Sequence, residues 1–287
     1  MINTLSVYRT PTEFLTLPFT DAGPLRVKNV EGLGPVKVAA LISRFSDYDS
    51  AIVNDGFAPP RTITVTVGIN PTYEFGGQSN DMREMLYSYL LGFRQVELHF
   101  DTDHMPPVKI LGHLELMDPK LFAETNDITF SVVCADPYFQ AVTPIVYDVA
   151  ANGTILGNVT TFDVDYEGDV PVGFILVPDP GPSTSVFYNW TMTLQEDPDR
   201  SMTFTGQIIR EDYVWYLDTR TGSKKFEFGP SSDPDQREAT SFLFGEWLYL
   251  DPEVDVLYDV NTFVWTKSAA SAAQLATMTY TPKYVGL

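Results

Sequence analysis

Along the first half of the chain, apolar and polar side chains alternate with a period of two. Ile63, Val65, Val67 and Ile69 alternate with Thr62, Thr64 and Thr66; Val96, Leu98 and Phe100 alternate with Glu97 and His99. Ile110, Leu114 and Leu116 alternate with His113 and Glu115, while Ile128, Phe130, Val132 and Cys134 form a further face of the same kind. Successive side chains on a strand point to opposite sides, so each stretch predicts a half-buried strand with one face in a core. One segment keeps the helical period instead. Met82, Met85, Leu86, Tyr89 and Leu90 recur at i, i+3, i+4, i+7 and i+8 behind the capping residues Ser79, Asn80 and Asp81, and Gly92 supplies a left-handed stop. The spacing predicts a short amphipathic helix near residues 80–91.

After Phe139 the period of two returns without a comparable helix. Val186, Tyr188, Trp190, Met192 and Leu194 on one face, with Asn189, Thr191 and Thr193 on the other, predict one long strand. Residues 202–204, 214–217 and 226–228 continue the pattern, and Asp218, Thr219, Arg220, Thr221 and Gly222 predict a tight hairpin turn. A closing strand is expected at about 277–284. Many short strands punctuated by turns predict a sandwich. The fold class is therefore mainly β: an α+β unit over 1–140 with one helix, then a β-sandwich over 141–287, joined at residues 140–143. Pro178, Pro180 and Pro182 mark a rigid loop, 231–240 a polar acidic loop, and 268–276 a loop of small residues.

Charge narrows the function classes. The chain has 287 residues and a formal net charge of −20, with −7 before residue 143 and −13 after it. No basic surplus exists to neutralise phosphates, so the chain does not grip nucleic acid, although an acidic surface can repel DNA as it passes. No run of about 18 apolar residues predicts a membrane span, and the first residues lack the pattern of a signal peptide. Cys134 is the single cysteine, so no intramolecular disulfide forms, and its place in an alternating strand makes it a small buried hydrophobe.

Candidate chemistry is sparse. Pairing of the strands around His99 and His113 would set Glu97, His99, His113 and Glu115 on one wet face, with Asp101, Asp103 and His104 nearby. Metal sites carry fixed ligand spacings that this face lacks, so it reads as a sheet surface with cross-strand charge partners. Asp163, Asp165, Glu167 and Gly168 begin like a calcium loop, but the twelfth position is Phe174, where a bidentate carboxylate is needed. Gly32 and Gly34 precede Pro35 and no helical pattern, so they cradle no phosphate. None of the 38 acidic residues is singled out as half of a glycosidase pair. Tyr213, Trp215, Tyr216, Trp247, Tyr249 and Trp265 suit sugar stacking as well as core packing, and alternation turns about half of them inward. The expectation is no catalytic residue, no cofactor-binding residue and no metal ligand.

Several segments in order carry a resemblance. Glu31, Gly32, Leu33, Gly34 and Pro35 form an E-G-L-G turn. A loop over 47–57 leads into Pro60, Arg61, Thr62 and Ile63. A helix ending in glycine and paired strands with a charged outer face follow, and Cys134, Ala135, Asp136, Pro137, Tyr138 and Phe139 close the unit as C-x-D-P-Y-F. This half resembles the N-terminal domain of the distal tail (Dit) proteins of long-tailed, siphovirus-like bacteriophages. The second half is similar more loosely, through Tyr166, Glu167, Gly168 and Asp169, through Leu217, Asp218 and Thr219, and through Leu248, Tyr249 and Leu250; it departs from the family pattern at 231–240. The resemblance implies a tail-tube-like belt domain followed by a galectin-like β-sandwich. It also implies a structural virion protein of the tail tip, made in the host cytoplasm, with no enzymatic activity and no cofactor. Its partners would be further copies in a ring of six, the tail tube protein, the baseplate hub or tail-associated protein, and receptor-binding or fibre proteins. Six copies at −20 would surround the passing DNA with about −120 charges without binding it. Two other readings remain beside it: a carbohydrate-binding module used in adsorption, and a glycan-cleaving enzyme with two carboxylates in a cleft.

Overall fold

A computed structural model describes residues 2–21, 23–36, 39–44, 51–70, 79–90, 95–118, 127–178, 186–187, 189–205, 208–209, 213–230, 238–239, 243–252, 261–267 and 276–287. The chain divides into two compact units, Met1–Val142 with Tyr284–Leu287, and Thr143–Lys283. Among the described residues strands dominate and two helices occur.

The first unit holds β1 (Ile2–Tyr8), β2 (Phe14–Pro18), β3 (Leu25–Glu31), β4 (Ala39–Arg44), β5 (Ala51–Phe57), β6 (Arg61–Ile69), α1 (Ser79–Tyr89), β7 (Gln95–Thr102), β8 (Val108–Asp118), β9 (Asp127–Cys134) and β10 (Phe139–Ala141). An antiparallel sheet runs β2-β1-β7-β8-β9-β6-β3, with β10 joined to β8, and its two ends, β2 and β3, approach each other. Rolling the sheet on itself buries one face of every strand. Ile63, Val65, Val67, Val96, Leu98, Phe100, Ile128, Phe130, Val132 and Cys134 all lie inside, as their alternation predicts. The helix packs beside β2 and lowers Leu86 and Leu90 into this core, with Met82, Met85 and Tyr87 partly covered. Gly92, expected as its stop, lies outside the described residues.

Two expectations for this unit fail for physical reasons. The loop that the resemblance implies over 47–57 is strand in its second part: residues 51–57 form β5, which pairs with β4 as a separate two-stranded sheet. Ala51, Ile52 and Val53 oppose Arg44, Ser43 and Ile42, and the β-branched Ile52 and Val53 are residue types that favour strand pairing. Leu116 was expected inward and is 55% exposed. The β8–β9 register shifts between Leu114 and Leu116, and a bulge there turns every later side chain to the other face. Met117 packs on the core in its place.

Among the described residues, the second unit is a sandwich of two six-stranded antiparallel sheets. One contains Ile145–Asp148, Phe174–Pro178, Tyr213–Asp218 and Ala276–Tyr280; the other contains Val159–Asp163, Trp190–Leu194, Ser201–Phe204 and Thr262–Lys267. Aromatic rings fill the space between them. Trp190 from one sheet stacks on Trp215 of the other at 5.4 Å, and Trp215 meets Trp265 edge-on at 5.7 Å. The long strand expected over 186–194 is two short ones: Val186–Phe187 pairs with Ile208–Ile209 in a small sheet of its own, and only Trp190–Leu194 joins the sandwich. Tyr188, between them, lies outside the described residues, as do most of the expected loops at 178–182, 231–240 and 268–276. The expected hairpin is present: Asp218 pairs with Lys225 across a loop in which Gly222 has φ +85°. A one-turn helix, Val149–Asn152, escaped the periodicity because it is too short to repeat; Asp148 caps it by accepting from the Ala150 and Ala151 amides.

The closing strand is likewise split. Ala276–Tyr280 belongs to the sandwich, whereas Tyr284, in the short strand Lys283–Tyr284 paired with β10, is buried in the core of the first unit. No helix among the described residues is long and apolar enough to cross a membrane.

Candidate functional site

Two constructions in the first unit stand out from ordinary packing. The first lies on the outer face of the sheet. Pairing places Tyr8 opposite Phe14 and Glu97, His99 opposite Lys109, and Glu97 opposite Leu111, so these side chains share one side of four neighbouring strands. Phe14 stacks on Tyr8 at 4.8 Å and Tyr8 on the His99 ring at 4.0 Å. His99 Nε2 sits in close contact with Glu97 Oε1, which Lys109 Nζ also reaches at 3.4 Å. Leu111 (47% exposed) and Phe14 (48%) leave apolar surface at the two ends of the row. Clefts of about 350 and 450 Å³ open on either side of this stretch of β8, one toward Tyr8, Arg9 and Pro11, the other toward Asp136, Tyr138 and Gln140. Farther across the sheet the same outer side carries hydroxyl pairs instead, Thr64 with Ser131 at 3.1 Å and Thr66 with Thr129 at 3.2 Å.

The predicted polar face is therefore partly assembled. Glu97 and His99 touch; His113, opposite Gln95, lies on the same outer face and lines the larger cleft with Glu97, and Glu115 sits at the bulge. His104 is in the turn after β7. Among the described residues no three His, Cys, Asp or Glu side chains gather closely enough to hold a metal ion. The calcium-like stretch is extended chain, with Val164 and Tyr166 buried and the intervening acids exposed; Tyr147 donates to the Asp163 carbonyl at 2.6 Å and Tyr280 to the Asp165 carbonyl at 3.3 Å. Of the aromatics weighed for sugar stacking, Trp215 and Trp265 lie in the sandwich core, while Tyr216, Trp247 and Tyr249 are half-buried. The Tyr213 side chain lies outside the described residues.

The second construction centres on Arg61, whose role no local pattern announces. It stands at the start of β6, paired with Cys134, and is 94% buried by its 6% exposure. Its Nη1 donates to the carbonyls of Gly32 at 3.2 Å and Leu33 at 3.4 Å, its Nη2 donates to the Val285 carbonyl, and its guanidinium lies 4.6 Å above the Phe139 ring. Three of the segments singled out in the sequence, the E-G-L-G turn, the Pro-Arg lead-in and the C-x-D-P-Y-F close, thus converge on one side chain. Gly32 has φ +87°, and a Cβ there would fall 2.2 Å from the Thr62 carbonyl, so only glycine makes this turn. Asp136 shapes the close by accepting from the Tyr138 amide at 3.2 Å and from Gln140 at 3.4 Å. Burial pulls the Arg61 pKa down, against the neighbouring thiol; burial also pushes the Cys134 thiol up to about 11, with Arg61 opposing and Asp136 adding. A thiol held neutral in this way is a poor nucleophile.

No protein-family model matches the chain, and no curated protein matches it in sequence. Solved structures do. The crystal structure of the Dit (gp 19.1) protein of SPP1, described as a paradigm of the hub adsorption apparatus in phages infecting Gram-positive bacteria, aligns with a TM-score of 0.61 at 14% identity, covering 98% of both chains. A chain of the phage P2 baseplate in its activated conformation with Ca aligns at a TM-score of 0.47 and 9% identity over 100% of both, too distant to support an argument. From its first strand to its last, through both units, this chain has the Dit fold.

Proposed function

We propose that this chain is a structural protein of a phage tail tip, a Dit-type subunit that forms a ring, six copies in number, between the tail tube and the baseplate hub. The observation that carries the reading is the match to SPP1 Dit over 98% of both chains, which embraces both units rather than one common module. The first unit is the ring-forming domain and the second the sandwich that holds peripheral proteins such as receptor-binding or fibre proteins. The outer row from Phe14 to Leu111 suits a subunit contact, because such contacts bury aromatic and apolar side chains at their centre and leave charges at the rim. The −20 charge suits a conduit through which DNA slides without adhering. The role is structural rather than catalytic, and its place is the virion.

Measuring particle mass in solution, with negative-stain electron microscopy, tests this. Six copies of 32.1 kDa give a ring of about 193 kDa. Leu111→Asp should weaken the ring and leave the melting temperature of the subunit unchanged. A full-length chain that stays monomeric at every concentration, with and without tail tube protein, would sink the reading.

A further inference from the structure

We propose that Tyr284–Leu287 is a closing strap for the first unit, locked by Arg61, so that the first unit is finished only after the entire second unit has been made. The strap is built into the fold rather than laid upon it. Tyr284 is 6% exposed and belongs to the first core. The Leu287 amide donates to the Leu33 carbonyl at 3.0 Å, and Arg61 Nη2 donates to the Val285 carbonyl. At Gly286 the strap lies so close to the E-G-L-G turn that a Cβ would stand 2.9 Å from Pro35 N and 3.0 Å from the Gly34 carbonyl carbon. Arg61 faces no carboxylate among the described residues; backbone carbonyls from the turn and the strap are what satisfy its buried charge.

Chain order gives this geometry its consequence. Residues 142–283 separate β10 from the strap, and a chain is synthesised from its N-terminus. Until residue 287 arrives, the slot for Tyr284 stands open and Arg61 lacks one of its three carbonyl acceptors. A buried donor without an acceptor and an unfilled core position both favour local opening. The first unit of a chain not yet made through residue 287 therefore keeps the region around residues 32–36 loose. In a ring of such subunits this acts as a checkpoint that admits only chains made through residue 287; that last step rests on the ring proposed above, while the strap itself does not.

The experiment compares the full chain with a variant lacking residues 284–287, with Gly286→Ala and with Arg61→Lys, which keeps the charge and loses the fork. Amide hydrogen exchange at residues 32–34 and 61–63 is followed, together with thermal unfolding and ring formation by electron microscopy. The expected result is faster exchange there and a lowered first-unit transition in all three variants, an unshifted second-unit transition, and no rings from the truncated chain. A synthetic peptide of residues 281–287, added in excess, should restore protection to the truncated chain. Should truncation prevent folding altogether, Gly286→Ala, which keeps every side chain, must still show the selective loosening. Unchanged exchange and unchanged first-unit melting in the truncated chain and in Gly286→Ala overturn the strap. Rings formed by a truncated chain with a loosened strap site overturn the checkpoint alone, and a full chain that never forms rings overturns the ring reading while leaving the strap standing.

Discussion

All four tryptophans, Trp190, Trp215, Trp247 and Trp265, belong to the second unit, so tryptophan fluorescence reports its unfolding and is blind to the first. Two glycines exploit this. Gly32 in the first unit has φ +87° with the Thr62 carbonyl 2.2 Å from where a Cβ would sit, and Gly245 in the second has φ +106° with the Ser201 carbonyl at 2.1 Å. Alanine at either position takes on a left-handed backbone at about 1–2 kcal/mol. It also forces a strand carbonyl aside at about 1–3 kcal/mol more. The expected loss is about 2–5 kcal/mol in the affected unit, and for a unit of this size roughly 3 °C per kcal/mol gives a fall of roughly 6–15 °C. Gly32→Ala should lower one calorimetric transition and leave the tryptophan transition in place; Gly245→Ala should do the reverse. If Gly32→Ala moves both transitions together, the two units do not unfold independently. If neither variant shifts anything, the turn geometry is wrong.

Three further outcomes follow from individual side chains. Burial raises the Cys134 thiol from 9.0 to about 11, so its contribution is full below about pH 9 and is lost as pH rises toward about 11; urea titrations of the first unit across that range should fall more steeply than for Cys134→Ala. Burial would raise the Asp218 carboxyl, but the Arg220 side chain, at 2.7 and 2.9 Å, and the Arg220 amide outweigh it and hold the carboxyl below the usual value. That stabilisation is present above about pH 4 and fades as pH falls, so Arg220→Ala should move acid unfolding of the second unit, read by tryptophan fluorescence, to higher pH. Leu116→Lys, on the exposed side of the bulge, should change stability by less than about 0.5 kcal/mol, whereas Leu114→Lys, two residues earlier and buried, should cost about 3 kcal/mol or more by urea unfolding.

The strands around Ile63, Val96 and Ile128 were legible because a rolled sheet with one wet face writes its inward positions as strict alternation. Leu116 was not, since a bulge inserts one residue without changing composition, and alternation alone continues through it. The break between Val186–Phe187 and Trp190–Leu194 was equally silent: the pattern runs on at period two while the partner strand changes. The outer row could be read in part. Glu97 and His99 on one face follow from their spacing, but the stacking of Tyr8 and Phe14 on His99 depends on β1 lying between β2 and β7, a choice of neighbours that no local window contains. Arg61 is the extreme case. Its neighbours Pro60 and Thr62 mark the start of a strand, yet its partner at Val285 is 224 residues away, and a charged residue at a strand end looks like any solvated one.

The way the chain leaves the first unit after β10 and comes back to it at Tyr284, in a strand paired with β10, bears on how such proteins diversify. The whole sandwich is an insert between two neighbouring strands of its host. A domain carried in this way can be exchanged, enlarged or lost by recombination while the host keeps its sheet, its core and the Arg61 lock, provided the replacement brings its two ends back to the same pair of strands. Grafting a foreign domain with closely spaced termini between Val142 and Tyr284 is then a practical route to displaying new binding modules on this scaffold.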